Sequence, residues 1–349
     1  MSSQIALWLN EKQGPFKVAP KDIPTPGPGE ILVKVHSAAL NPVDWIRQAT
    51  GFRVEEYPVV FGGDVAGTVE ALGEGVTTFV KGDKVFHQGT MDNRKAGFQQ
   101  FTIAPASITS KARGPTDIPD NISFDQAASL PLCIATAVIP LYSQPTTGLG
   151  YQAPWDGGRA KYSGQPILVL GGATSLGQYV IQFARLSGFS PIITTASLHN
   201  SALLKSLGAT HVIDRNLPFS ALSDEILGIT TSPIDLVYVA MMLPELAQAG
   251  YDLLAPGGHV VVAGNTIKTT EGDNKNIVGV FGSFHIPGNL ALGAAVAHQL
   301  PKLLADGDIV PNAVEVVPGG LNGIASGLER LKNNLVSAKK LVVRPWETV

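Results

Sequence analysis

The residues in this chain with the clearest capacity for chemistry are small ones. Gly171-Gly172-Ala173-Thr174-Ser175-Leu176-Gly177 follows the apolar run Ile167-Leu168-Val169-Leu170. Val180, Ile181, Phe183, Ala184 and Leu186 come next at helical spacing, so the segment reads as strand, turn, helix. Such a turn aims free backbone N–H groups and the positive end of a helix dipole at one point. Small residues there let a pyrophosphate approach the backbone. The usual G-x-G-x-x-G is not met, because Thr174 and Ser175 occupy the middle. A packing turn would look similar in isolation. Followed by further strand–helix units, the stretch from Gly172 to Gly177 predicts a dinucleotide site, with the Thr174 and Ser175 hydroxyls available to phosphate.

The end of the second strand decides which dinucleotide. An acid there binds a ribose 2′-hydroxyl and repels a 2′-phosphate. This chain reads Thr194-Thr195-Ala196-Ser197-Leu198-His199-Asn200, with no Asp or Glu. Ser197, His199 and Asn200 can donate to phosphate, and Lys205 follows on the next helix. The expected cofactor is NADP(H). Ser197 and Asn200 can equally cap that helix, and the two roles are compatible.

These positions need a scaffold, and composition bounds it. The 349 residues are 44% hydrophobic and 15% charged, with net charge −3. That describes a folded chain of about two domains with no basic footprint for nucleic acid or an anionic membrane surface. No apolar run approaches a membrane span and no secretory leader is evident. A single cysteine, Cys133, rules out an internal disulfide and any cysteine-rich metal site. A reducing, cytoplasmic location is the expectation.

The first ~130 residues read as short strands punctuated by Gly and Pro, including Ile31–His36, 65–72 and 84–86, and predict a small β-barrel-like domain. From residue 167 apolar strands at 167–170, 192–195, 211–213, 234–239, 259–263 and 277–281 alternate with helices near 201–207 and 243–254. That pattern predicts a doubly wound parallel sheet. Helices at 290–305 and 321–331 and a strand at 340–343 close the chain, partly back on the first domain. The expected fold is α/β, with a catalytic domain over 1–135 and 300–349 and a nucleotide domain over 136–299. Residues 143–166, rich in Gly, Pro, Tyr and Trp, read as a long loop and possible lid.

Taken together the motifs resemble the medium-chain dehydrogenases/reductases, a superfamily joining a GroES-like barrel to a Rossmann domain. The likeness rests on Asn41-Pro42-Val43-Asp44-Trp45, Gly62-Gly63-Asp64-Val65-Ala66-Gly67, Lys81-Gly82-Asp83-Lys84-Val85, Ala127-Ala128-Ser129-Leu130-Pro131 and 204–214. The chain departs from the zinc alcohol dehydrogenases: Asp44 stands for a catalytic Cys, Gly63 for a His ligand and Leu132 for the remaining Cys. The cysteine-bearing structural zinc lobe is missing between Lys84 and Phe101. No metal is therefore expected. Lacking a Lewis acid for an alcohol, the zinc-free branch is similar to quinone oxidoreductases and to reductases of activated C=C bonds. Asn-Pro-Val-Asp-Trp, the altered phosphate turn, Ser197–Asn200 and residues 143–166 look most like the fungal trans-acting enoyl reductases. These reduce an enoyl thioester carried on a partner polyketide synthase.

That resemblance implies roles for particular residues. Val43, Asp44, Trp45 and Ile46 approach the nicotinamide half, with Thr136, Val262 and Ala263. Ile46 and then Arg47 stand where the group often has Lys; Arg215 stands where a Tyr commonly meets the cofactor. Val336-Ser337 closes on the cofactor, and Gly282, Ser283, Phe284 and His285 form the substrate mouth. Tyr57 and His87 are the candidate catalytic acids, with His285 and solvent also open. A quinone or aldehyde oxidoreductase and a non-catalytic NADP(H)-binding protein remain as alternatives.

Overall fold

The computed structural model describes residues 3–111, 122–145, 147–264 and 267–349. They form two compact units: Met1–Leu132 with Phe284–Gly307 and Pro311–Val349, and Cys133–Ser283 with Asp308–Val310. The expected loop over 143–166 includes residue 146, which lies outside the described residues.

The first part of the chain is strand-rich: β1 Ser3–Leu9, β2 Phe16–Asp22, β3 Glu30–Ala39, β4 Val59–Val60, β5 Asp64–Leu72, β6 Lys84–Gln88, β7 Phe101–Pro105 and β8 Ser110–Lys111. Helix α1 Pro42–Thr50 follows β3, and α2 Phe124–Ala128 and α3 Pro131–Tyr142 end this stretch. β3 and β5 pair antiparallel and meet very closely. A Cβ on Gly67 would lie 2.0 Å from the Lys34 carbonyl oxygen, so only glycine permits the pairing. Val33, Val35, Val65, Val85, Phe61 and Phe98 point into one core. Each such buried side chain contributes roughly 1.5–3 kcal/mol.

In the middle, β9 Ile167–Leu170, β10 Ile192–Ala196, β11 His211–Asp214, β12 Leu236–Val239, β13 His259–Val262 and β14 Asn276–Gly279 alternate with α4 Ser175–Ser187, α5 Ser201–Leu207, α6 Phe219–Ile229 and α7 Pro244–Asp252. All five pairings are parallel, in the order β11-β10-β9-β12-β13-β14. This is the doubly wound sheet that the apolar runs predict. Its strand order reverses direction at β9, where such sheets bind nucleotides.

Helix α8 Leu290–Ala305, β15 Ala313–Val316, α9 Ile324–Lys332 and β16 Lys339–Val343 finish the chain. β16 adds to β3, giving the sheet β15-β16-β3-β5-β6-β8. Residues 284–299, placed with the nucleotide domain on sequence grounds, group with the first unit instead. The cause is packing: Gly293 of α8 receives Phe284, whose Cβ lies 2.8 Å from the position a Gly293 Cβ would take, with Ile108 beside it.

Residues 147–166 are packed rather than loose. Trp155 lies edge-on to Tyr142 and Phe183, while Tyr151 and Tyr162 pack on each other and on Phe189. Phe183 lies within α4, about 12 Å along the helix from its start, and Phe189 follows its C-terminal end. One helical stretch, Phe124–Tyr142, is long and apolar enough by length and composition to span a membrane, against the sequence expectation. Because 78% of its most apolar window is buried inside the protein, it reads as a core helix.

Candidate functional site

In the second unit the phosphate turn is built around one hydroxyl. Gly171 has φ +89°, and a Cβ there would meet Met241 at 2.8 Å. Thr174 caps α4: its Oγ1 accepts from the Gly177 N–H at 2.9 Å and donates to the Gly171 carbonyl at 2.9 Å. That hydroxyl is therefore occupied and does not serve phosphate as the sequence suggests. The amides of Ala173, Ser175 and Leu176 have no acceptor among the described residues. Ser175 and Leu176 lack one because the first turn of a helix has no preceding carbonyls. Gly177 is required by contact, since a Cβ would lie 2.4 Å from the Gly171 oxygen. Gly172 is held equally tightly, against Thr194 Oγ1 at 2.0 Å from its would-be Cβ.

β10 ends beside this turn. Ser197 is half-buried, Leu198 and His199 are exposed, and Asn200 is buried at the start of α5. Arg215, exposed, is joined through its N–H to the Ala196 carbonyl at 3.0 Å. The acid ending β11, Asp214, turns to Asn216 instead, accepting from its backbone and side-chain N–H groups at 3.0 Å.

Thr136 is fixed from two sides. Its carbonyl accepts from Tyr238 Oη at 2.6 Å, and Gly282 approaches so closely that a Cβ would lie 2.1 Å from Thr136 Oγ1. Tyr238, on β12, is fully buried, and burial pushes its phenol far above its ordinary range. It is therefore a permanent donor, and nothing in its apolar strand marks it in the sequence. Tyr238→Phe is expected to leave the fold intact and to lower kcat about fivefold with little change in KM, as one neutral hydrogen bond of ~1 kcal/mol is lost. Steady-state kinetics decide; a change confined to KM would contradict it. Val262 is buried, with its carbonyl bonded to the Val280 amide at 2.8 Å, while Ala263 is half-buried.

In the first unit a buried polar network spans β5, α1, α3 and β16. Asp64 Oδ1 accepts from the Leu132 amide at 2.6 Å. Its Oδ2 accepts from Asn41 Nδ2 at 2.7 Å and pairs with Lys340 Nζ at 3.0 Å. Lys340 Nζ also donates to Asn41 Oδ1 at 2.6 Å. Asp44, wholly buried, accepts the Asn41 N–H on Oδ2 at 2.9 Å and so starts α1. Burial, opposed chiefly by the Arg47 charge, pushes its carboxyl up to about 6. Around α1 four buried atoms have no partner among the described residues: Asp44 Oδ1, Trp45 Nε1, Arg47 Nε and Tyr57 Oη. Trp45 and Tyr57 lean on the barrel core, and Val43 and Ile46 are half-buried. Val336 also packs on that core, whereas Ser337 is exposed.

His87 stands elsewhere. It pairs across the ladder with Val65 and shares a face of β6 with Val85, both in the barrel core. Its Nδ1 is 3.1 Å from the Gln88 carbonyl, which requires the proton on Nδ1. Burial pushes it down to about 4, so near neutrality the ring is uncharged and Nε2 is a bare acceptor. Gln88, on the face of Asp64, holds the segment after the sixth strand: its Oε1 accepts the Phe284 N–H at 2.9 Å and its carbonyl meets His285 Nε2 at 2.9 Å. Phe284 is buried against α8 and His285 is tied down, while Gly282 and Ser283 belong to the second unit. Burial also lowers the His285 pKa.

Where the alcohol dehydrogenase pattern carries a histidine, Gly63 faces Leu132, whose Cδ2 lies 3.4 Å from its would-be Cβ. Among the described residues no three His, Cys, Asp or Glu side chains come together as a metal ligand set.

Comparison with known proteins agrees with this geometry. Residues 27–114 match the alcohol dehydrogenase GroES-like domain, and residues 175–302 the zinc-binding dehydrogenase family. A trans-enoyl reductase of Aspergillus japonicus is 34% identical over 98% of this chain and 97% of its own. One from a Penicillium species is 31% identical over 98% and 99%. The chain belongs to the medium-chain dehydrogenase/reductase superfamily. The quinone oxidoreductase of Coxiella burnetii shares the fold at 24% identity (TM-score 0.73, 98% and 99% covered). So does a mycobacterial protein solved with NADPH, at 21% identity (TM-score 0.76, 98% and 100%).

As a medium-chain dehydrogenase/reductase, the chain is an oxidoreductase built for a nicotinamide dinucleotide. Its own residues fit that group. Three open amides stand at the switch point of the sheet, on a turn whose glycines Gly171, Gly172 and Gly177 are required by close packing.

Proposed function

We propose that this protein is an NADPH-dependent reductase of an activated C=C bond, acting without zinc on an enoyl thioester. The observation that carries this reading is the Asp64–Lys340–Asn41 network. A salt-bridged, hydrogen-bonded lattice fills the region from which zinc relatives supply metal ligands, and Gly63 and Leu132 have no ligating atom. A substrate handled there must already be electrophilic, as the β-carbon of an α,β-unsaturated thioester is.

NADPH, when bound, supplies the hydride. The Ala173, Ser175 and Leu176 amides would hold its pyrophosphate, Ser197, Leu198, His199 and Asn200 would surround its 2′-phosphate, and Arg215 would stand against the cofactor. In the second unit Thr136, Val262 and Ala263 would contact its nicotinamide half. Gly282 and Ser283 border the substrate. Tyr57 Oη, buried and unpartnered, donates to the enolate oxygen as charge builds on it. The relatives named trans-enoyl reductases favour a substrate delivered on a polyketide synthase, and hence a cytoplasmic enzyme.

The test is NADPH consumption with crotonyl thioester, a free enal and a quinone in parallel, with NADH as control. Thioester turnover with NADPH preferred is expected. Turnover of the quinone alone makes the protein a quinone oxidoreductase. Cofactor binding without turnover of any of the three makes it a non-catalytic NADP(H)-binding protein.

A further inference from the structure

Thr195 stands next to last in β10, buried and in register with Leu170 of β9 and Ile213 of β11. Its carbonyl accepts the Gly172 N–H at 3.0 Å, and its Oγ1 accepts the Gly171 N–H at 3.1 Å. Gly171, at φ +89°, is thereby held at both of its polar groups: the N–H on the Thr195 hydroxyl and the carbonyl on the Thr174 hydroxyl. The next residue of β10 holds the other neighbouring strand, since the Ala196 carbonyl accepts the Arg215 N–H at 3.0 Å. The phosphate turn, the segment from Ser197 to Asn200 and Arg215 therefore all take their places from Thr195 and Ala196.

Every N–H of the turn has a definite fate. Those of Gly171 and Gly172 go to Thr195, and that of Thr174 goes to the Gly171 carbonyl at 3.1 Å. Those of Ala173, Ser175 and Leu176 have no acceptor among the described residues. The bond to the Thr195 carbonyl forms whatever side chain stands there. The bond to Oγ1 requires a hydroxyl, and a valine of the same shape would fill the place in the strand without it.

We propose that Thr195 is a positioning residue of the dinucleotide site, its hydroxyl fixing Gly171 so that the Ala173, Ser175 and Leu176 N–H groups are the ones left for a pyrophosphate. This rests on the dinucleotide reading of the turn and not on the C=C chemistry. Without the hydroxyl the Gly171 N–H loses its acceptor and the turn relaxes. A bound cofactor must then restore the turn, and affinity falls. The pyrophosphate is common to NADPH and NADH, so both weaken together, whereas a change at Ser197 separates them.

Thr195→Val and Thr195→Ser test this, each titrated with NADPH and NADH by calorimetry with no substrate present. Thr195→Val is expected to raise both Kd values about tenfold and to leave their ratio unchanged, while Thr195→Ser stays close to the parent. A purely structural role would instead lower the melting temperature of Thr195→Val with Kd unmoved. A second measurement needs no variant. In the unliganded protein the Gly171 amide hydrogen should exchange with solvent much more slowly than those of Ala173, Ser175 and Leu176. Parental affinity in Thr195→Val, a serine variant as weak as the valine one, a changed NADPH-to-NADH ratio or equal exchange at the four amides overturns the proposal. Failure of the unsubstituted protein to bind either nucleotide overturns the dinucleotide site itself, and the proposal with it.

Discussion

Lys340→Met is expected to lower the melting temperature by about 10 °C, the largest stability effect of any single substitution considered. The ammonium lies 3.0 Å from Asp64 Oδ2 and 2.6 Å from Asn41 Oδ1, with side chains almost wholly buried. Methionine follows the lysine stem as far as Cε but removes the ammonium and its charge. Asp64 is then a buried carboxylate without its cation, and breaking such a pair typically costs about 3–5 kcal/mol. For domains of this size each kcal/mol moves the melting temperature by roughly 2–4 °C. Adding Asp64→Asn to Lys340→Met should recover part of the loss, because the stranded charge is gone. Thermal unfolding of the two variants is the measurement. A single variant that melts within about 2 °C of the parent, or a double variant that melts lower still, contradicts the assignment of Lys340 as the counter-charge. The network bridges the C-terminal strand β16, the start of β5 and the entry to α1, so its loss should also loosen the segment from Val43 to Ile46.

Ser197→Asp carries the largest expected effect on cofactor choice. Ser197 is half-buried at the end of β10, with Arg215 following the neighbouring strand. A carboxylate placed there repels a 2′-phosphate and accepts from a 2′-hydroxyl. The KM for NADPH should rise roughly 30-fold, about 2 kcal/mol of lost binding, while that for NADH falls. The NADPH effect should shrink at high salt, since part of it is screened repulsion. Equal changes for both cofactors would mean that Ser197 acts through α5 rather than on the phosphate.

The parts of the site that the sequence displays are those made by neighbours in the chain. The phosphate turn is one: strand, glycines and helix lie within twenty residues, and the free amides follow from helix geometry. The acid-free end of β10 is another. The buried polar network is different in kind. Asn41 and Lys340 touch across 299 positions, and a lysine before Leu341-Val342-Val343 looks like the exposed start of a strand. Only the pairing of β16 with β3 buries it. The surroundings of His87 are hidden for a related reason. Val85-Phe86-His87-Gln88 is buried throughout, so the alternation that would show which face each residue takes is invisible without β5. Helix α1 is not among the elements read from the sequence, although Pro42 suits the first position of a helix. The aromatic residues Tyr151, Trp155 and Tyr162 find their partners Phe183, within α4, and Phe189, just beyond it, only once the chain is folded.

The central claim is hydride delivery to the β-carbon of an enoyl thioester. The most direct measurement supplies NADPH deuterated at the transferred position, with crotonyl thioester, and locates the label in the product by mass spectrometry and NMR. The expected product is a saturated butyryl thioester with one deuterium on the β-carbon and none on the α-carbon, whose new hydrogen comes from solvent. Deuterium on the carbonyl carbon, with the C=C bond intact, would contradict it and identify a carbonyl reductase instead.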